Sequence, residues 1–116
     1  MPKAIMERTI AQNMQAKLIV DEIQEFEGIV ILGCDCNSKE TSSSYRILAN
    51  TLSNSARVAG WSLFGETPES TKYDRNLQHI DYIFYRGELE PFQVVTIKNS
   101  GGSDHSPVLA FFEMKR

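Results

Sequence analysis

Three short stretches of this chain place acids, an amide and a histidine where apolar runs end or begin. The first is Ile29-Val30-Ile31-Leu32-Gly33-Cys34-Asp35-Cys36-Asn37-Ser38. Its four leading apolar residues read as a strand buried on both faces, with Asp35 and Asn37 at the carboxyl end. Side chains two apart on extended backbone point the same way, so the acid and the amide address one spot. In open α/β sheets, ligands bind at that end of the strands. A carboxylate there takes a proton or holds a metal, and an amide offers donors to a phosphate or carbonyl oxygen. Taken alone, the blander alternative is an Asx turn that ends the strand.

The second stretch, His79-Ile80-Asp81-Tyr82-Ile83-Phe84, sets an acid inside an apolar strand, where burial is costly unless something pairs it. The third is Gly101-Gly102-Ser103-Asp104-His105-Ser106-Pro107, a flexible lead followed by an acid, a histidine and a turn-fixing proline. His105 is the natural partner for Asp81. An acid accepting from one ring nitrogen fixes the tautomer and favours the imidazolium, leaving the other nitrogen for an anion or a proton. Asp104 is suited to a hard cation, which takes oxygen ligands. The alternative for this stretch is a plain turn with a solvated acid, and His79 reads as an ordinary strand residue.

The elements that position these groups follow from periodicity. From Arg8 to Glu27, apolar residues at Ile10, Ala11, Met14, Leu18, Ile19, Ile23 and Phe26 form a helical stripe, with Gly28 as terminator. Ser42, Ser43 and Ser44 offer N-cap hydroxyls to a shorter helix carrying Tyr45, Leu48, Ala49 and Leu52. Between Ser53 and Leu77 periodicity is lost, and the stretch reads as a long loop, functional or locally disordered, with Trp61 and Phe64 in the plainer role of anchors against the body. The last third reads as a β-meander over 78–85, 92–98 and 107–113, with Pro91 and Pro107 at strand starts. The expected architecture is α/β, with about four strands and two main helices.

At 116 residues the chain allows one domain, residues 1–116. A formal net charge of −3 argues against a surface coated in positive charge for non-specific nucleic-acid binding, although Lys72, Arg75 and Arg86 can flank a groove. Cys34 and Cys36 read as free thiols acting as small hydrophobes, which favours a reducing, cytoplasmic compartment. No signal-peptide core and no run of about eighteen uncharged apolar residues is present, so a soluble chain is expected.

The segments G-C-D-C-N at 33–37, H-I-D-Y-I-F at 79–84 and S-D-H-S-P-V at 103–108 resemble the last three motifs of the endonuclease/exonuclease/phosphatase superfamily, in the same order. The resemblance runs from about Arg8 to Phe112. It implies half of a four-layered α/β sandwich, the C-terminal half, and metal-dependent hydrolysis of a phosphodiester or phosphomonoester. The implied substrate is a phosphate ester of a nucleic acid, a lipid head group or a small molecule. Asp35 would orient or deprotonate the attacking water, and Asn37 would bind the scissile phosphate or orient that water. Asp104, with Asp35, would hold Mg²⁺ or Mn²⁺, bound weakly for want of further carboxylates. His105, held by Asp81, would contact the phosphate and stabilise its developing charge.

The superfamily's first half supplies an asparagine, a metal-binding glutamate and a tyrosine or histidine for which this chain offers no match. Weak or absent activity of the isolated half is therefore expected. The alternatives are a non-catalytic phosphate-binding module and a truncated product that needs a partner chain. Finally, the runs at 29–32, 80–85 and 108–112 are apolar at successive positions, while two helices cover only one sheet face. The bare face is expected to make the chain a homodimer, with an interface on the order of 2,000 Å² or more.

Overall fold

The computed structural model describes residues 2–36, 39–60, 71–73, 76–78, 81–97 and 101–115. The elements are α1 (Lys3–Gln24), β1 (Val30–Asp35), α2 (Ser43–Ala49), β2 (Ser53–Asn54), α3 (Ser55–Ala59), β3 (Thr71–Tyr73), β4 (Asn76–Gln78), β5 (Asp81–Arg86), β6 (Leu89–Thr96) and β7 (Val108–Met114). They form a mixed α/β fold with a three-stranded sheet in the order β1-β5-β2 and two-stranded sheets β3-β4 and β6-β7. All the pairings are antiparallel.

α1 starts earlier than its apolar pattern, because Pro2 suits a helix start and its carbonyl accepts from the N–H groups of Ile5 and Met6 at 3.1 and 3.2 Å. It ends at Gln24, before Gly28, and Arg86 meets the carbonyls left over there. The Arg86 guanidinium donates to the carbonyls of Ile23 at 2.9 Å, Phe26 at 2.5 Å and Gly28 at 3.4 Å. Arg86 therefore ties β5 to the end of α1, while Arg75 and the side chain of Lys72 lie outside the described residues. Gly87 follows with φ +112°, and a Cβ there would come within 3.1 Å of Ile29, so the turn into β6 needs glycine. The Ser42 hydroxyl caps α2 by accepting from the Tyr45 N–H at 3.2 Å, and the Ser43 hydroxyl donates to Asn13 of α1 at 2.9 Å.

The core lies between the helices and one face of the three-stranded sheet. Ala16 and Ile23 of α1, Leu48 of α2, Leu52, and Tyr82 and Phe84 of β5 are buried together, with Val30 and Leu32 of β1 packed against them. The rings of Tyr45, Tyr82 and Phe84 stand 5.1 to 5.6 Å apart in tilted contacts. Two expectations are corrected here. β1 is not buried on both faces, for its burial alternates and Ile31 is 56% exposed. The helices cover only the Val30 and Leu32 side, as a single helical layer must. α1 is also apolar on two sides: Ala16, Ile19, Val20 and Ile23 meet the core, while Met6, Ile10, Met14 and Leu18 line the outer side.

The last third is not one meander. β5 is the central strand of the first sheet, and of the strands β5, β6 and β7 it is β6 and β7 that pair with each other. Tyr85 of β5 meets Phe112 of β7 edge-on at 5.4 Å, which joins the two sheets through side chains. Pro91 sits inside β6, at the register shift before Gln93, where a two-stranded edge tolerates a missing donor. The expected loop from Ser53 instead begins with β2 and α3, the latter capped by the Asn54 side chain accepting from the Ala56 N–H at 3.1 Å. Trp61, Phe64 and His79 lie outside the described residues.

Phe84 is fully buried. Phe84→Ala is expected to lower the unfolding free energy by about 3–5 kcal/mol. Ile31→Ala, on the open face, is expected to cost under about 1 kcal/mol in the monomer; urea unfolding of both variants checks the contrast.

Candidate functional site

The site grows from the pairing of β1 with β5. In that register Leu32 stands opposite Phe84, Gly33 opposite Ile83, Cys34 opposite Tyr82 and Asp35 opposite Asp81. Directly opposed residues of an antiparallel pair share a face. Val30, Leu32, Tyr82 and Phe84 therefore face the helices, while Ile31, Gly33, Asp35, Asp81 and Ile83 face the open side. Two carboxylates thus end the two strands next to each other.

His105 reaches them from the β6–β7 connection. That loop is closed at its neck by the Ile97 N–H donating to the Pro107 carbonyl at 2.9 Å. Gly101 and Gly102, at φ +63° and +94°, make the left-handed turn that returns the chain. The Ser103 hydroxyl accepts from the His105 N–H at 3.1 Å, an ST turn that orients the histidine. The imidazole then bridges the acids: Nδ1 lies 2.6 Å from Asp81 Oδ2 and Nε2 lies 3.7 Å from Asp35 Oδ2. Asp104 Oδ1 stands 4.0 Å from Nε2. Asp35 and Asp104 are well exposed, whereas Asp81 and His105 are partly sheltered.

The electrostatics follow from this geometry. The hydrogen bond to Asp81 raises the His105 pKa above its ordinary value, with the nearby charges of Asp81, Asp35 and Asp104 adding in the same direction and partial desolvation opposing. Burial pushes the Tyr82 phenol up, in keeping with its place beside Tyr45 and Phe84 on the helix side of the sheet. Three carboxylates around one imidazolium leave two net negative charges, which one divalent cation would balance. Oxygen or nitrogen atoms of Asp35, Asp81 and His105 lie within 4.8 Å of one another, close enough to serve a metal.

Of the residues expected from sequence, the structure brings Asp35, Asp81, Asp104 and His105 together. Asn37 falls outside the described residues. The cysteines differ from expectation: Cys34 and Cys36 are joined as a disulfide, with Cα atoms 5.1 Å apart. Their side chains leave the same face of the strand, and the backbone tightens around Asp35 to bring them within bonding range. Free thiols therefore no longer argue for a reducing compartment. No helix among the described residues is long and apolar enough to cross a membrane.

The sequence profile of the endonuclease/exonuclease/phosphatase family matches residues 5–105. The chain belongs to this family. The described residues of the three segments lie at the end of β1, on β5 and in the loop that leads into β7. Among solved structures, the chain is similar to a functionally unknown conserved protein from Enterococcus faecalis V583, with a TM-score of 0.70 and 21% identity. The match covers 92% of this chain and 46% of that one, so this family member spans about half the length of its solved relative. No curated protein matches it. The family's description spans endonucleases, exonucleases and phosphatases.

The raised His105 pKa gives a signed prediction. Its contribution to stability is fully present below the unfolded value near about 6.5 and is lost as pH rises through the folded value. A histidine NMR titration is expected to show an elevated midpoint in the wild type and a fall toward the ordinary value in Asp81→Asn. A midpoint indifferent to that substitution would remove the pairing from the account.

Proposed function

We propose that this chain is the C-terminal half of a metal-dependent phosphoesterase domain and carries that domain's Asp35, Asn37, Asp81, Asp104 and His105 in catalysis. The observation that supports the reading best is the span from Asp81 through His105 to Asp35, at 2.6 and 3.7 Å, on the open end of paired strands. In this reading Asp35 orients or deprotonates the attacking water, and Asn37 binds the scissile phosphate beside it. Asp81 holds His105 as an imidazolium that meets the negative charge developing on phosphorus-bound oxygen.

Asp35 and Asp104 are the residues that would hold Mg²⁺ or Mn²⁺, since hard cations prefer carboxylate oxygen and His105 Nδ1 is engaged with Asp81. Such an ion supplies Lewis-acid polarisation of the phosphate and offsets the acidic cluster. Two exposed carboxylates make a weak site, because Mg²⁺ keeps most of its waters when so few protein oxygens are offered. Substrates are phosphate esters of nucleic acid, lipid head group or small-molecule type.

The open sheet face supports a second part of the reading. Ile31 lies on the site side of β1 and is 56% exposed. A second copy laid on this face would give a homodimer that imitates a two-sheet sandwich, with sheets about 10 Å apart. Light scattering at tens of micromolar is expected to give twice the monomer mass, and a well-folded monomer would reject the dimer.

The test of activity is hydrolysis of a chromogenic phosphodiester with and without Mg²⁺. Slow, Mg²⁺-dependent turnover is expected, reduced about 100-fold or more in Asp35→Ala. Turnover unchanged by chelator and by Asp35→Ala would overturn the proposal.

A further inference from the structure

Asp35 is enclosed by the two cysteines. It is the last paired residue of β1, and the disulfide between Cys34 and Cys36 closes a small ring with the Asp35 backbone as its middle member. An extended strand sets residues two apart at about 6.6 Å, from a rise of about 3.3 Å per residue. Here the two Cα atoms are 5.1 Å apart. The bond thus closes a ring where the chain leaves β1, and with this ring closed Asp35 Oδ2 stands 3.7 Å from His105 Nε2.

The pair is also placed to be reached. Cys34, Asp35 and Cys36 line a cavity of about 150 Å³ on the helix side, with Gln12, Gln15 and Ser44 as its polar wall. Cys34 and Asp35 also border the cleft that holds Asp81 and His105. The ring thus separates a small-molecule-sized entry from the acidic cleft. Beyond it, the Cys36 side chain packs against the edge of the core, and its carbonyl accepts a long 3.5 Å contact from the Gln12 amide. Among the described residues, no hydrogen-bonded clamp like that of Arg86 at the other end of β5 holds this end of β1.

We propose that Cys34 and Cys36 form a redox catch on Asp35: oxidised, the pair keeps the carboxylate in the site, and reduction by a small thiol releases it. The proposal rests on the phosphoesterase reading above for its effect on metal binding. In the reducing step a small-molecule thiolate attacks one cysteine sulfur, the S–S bond breaks, and the other cysteine leaves as thiolate. A second small thiolate then attacks the small-molecule sulfur of the mixed disulfide, that S–S bond breaks, and the remaining cysteine leaves as thiolate. Two electrons and two protons pass from two small thiols to the protein, giving two cysteine thiols and one small-molecule disulfide. Freed of the ring, the strand end relaxes toward its extended spacing and carries Asp35 away from His105.

The experiment compares the chain equilibrated with glutathione disulfide and with dithiothreitol, beside the Cys34→Ser/Cys36→Ser double variant. Alkylation and mass measurement should count no free thiol in the oxidised chain and two in the reduced one. The His105 imidazole signals, read by NMR at one fixed pH, should differ between the two states and show no redox dependence in the double variant. Mn²⁺ affinity by calorimetry should fall about tenfold on reduction, the size expected when the support of a ligand is lost. Two free thiols after oxidation, identical His105 signals in the two states, or, in a chain that binds Mn²⁺, equal or tighter binding on reduction would overturn the catch. Redox-dependent His105 signals in a chain that binds no Mn²⁺ in either state would sustain the catch and refute the phosphoesterase reading instead.

Discussion

Asp35 and Asp81 face each other across an antiparallel pair. Like charges directly opposed on one face of a sheet repel, and a sequence selected for stability alone would not keep them there. What makes the arrangement tenable is the imidazole between them, bonded to one acid at 2.6 Å and close to the other at 3.7 Å. The histidine gains its proton affinity from the acids, and the acids gain a counter-charge from the histidine. The cluster still keeps an excess of negative charge, because Asp104 stands beside it. That excess is the physical reason to expect a divalent cation and, through the cation, a phosphate.

The rest of the fold serves this juxtaposition. β1 and β5 owe their register to Val30, Leu32, Tyr82 and Phe84, which must all face α1 and α2 to be buried. A slip by one residue would turn Asp35 and Asp81 into the core. Arg86 fixes the far end of β5 on the carbonyls that end α1. The Ile97 to Pro107 closure and the left-handed glycines bring His105 back over the strand ends. Each device is remote from the chemistry and each sets one coordinate of it.

Much of this was legible in the sequence, and the limits have physical causes. Asp35, Asp81, Asp104 and His105 stood out because each interrupts or borders an apolar run, and an acid in such a place needs a partner. The pairing of His105 with Asp81 followed from that need. The direct opposition of Asp35 and Asp81 was missed, because strand partners are chosen by tertiary packing rather than by local pattern. A signal was present: two apolar runs each carry an acid at one end, the end of the first and the start of the second, which antiparallel pairing brings together. The same limit explains the mistaken meander, since β5 pairs with β1 and β2 across long stretches of chain. The burial of β1 was over-read, because a run of apolar residues shows what prefers cover and not whether cover is present. The cysteine pairing was misjudged because the local tightening at Asp35 is a departure from ideal strand geometry that composition does not reveal.

The central claim is that the negative excess around His105 is a cation site. Paramagnetic broadening of the ¹H–¹⁵N spectrum by substoichiometric Mn²⁺ tests it most directly, because it reports where the ion sits without requiring turnover. The account predicts that signals of Asp35, Asp81, Asp104 and His105 broaden first. Broadening centred instead on the acids of α1 and its exit, Glu22, Glu25 and Glu27, with His105 untouched, would contradict it.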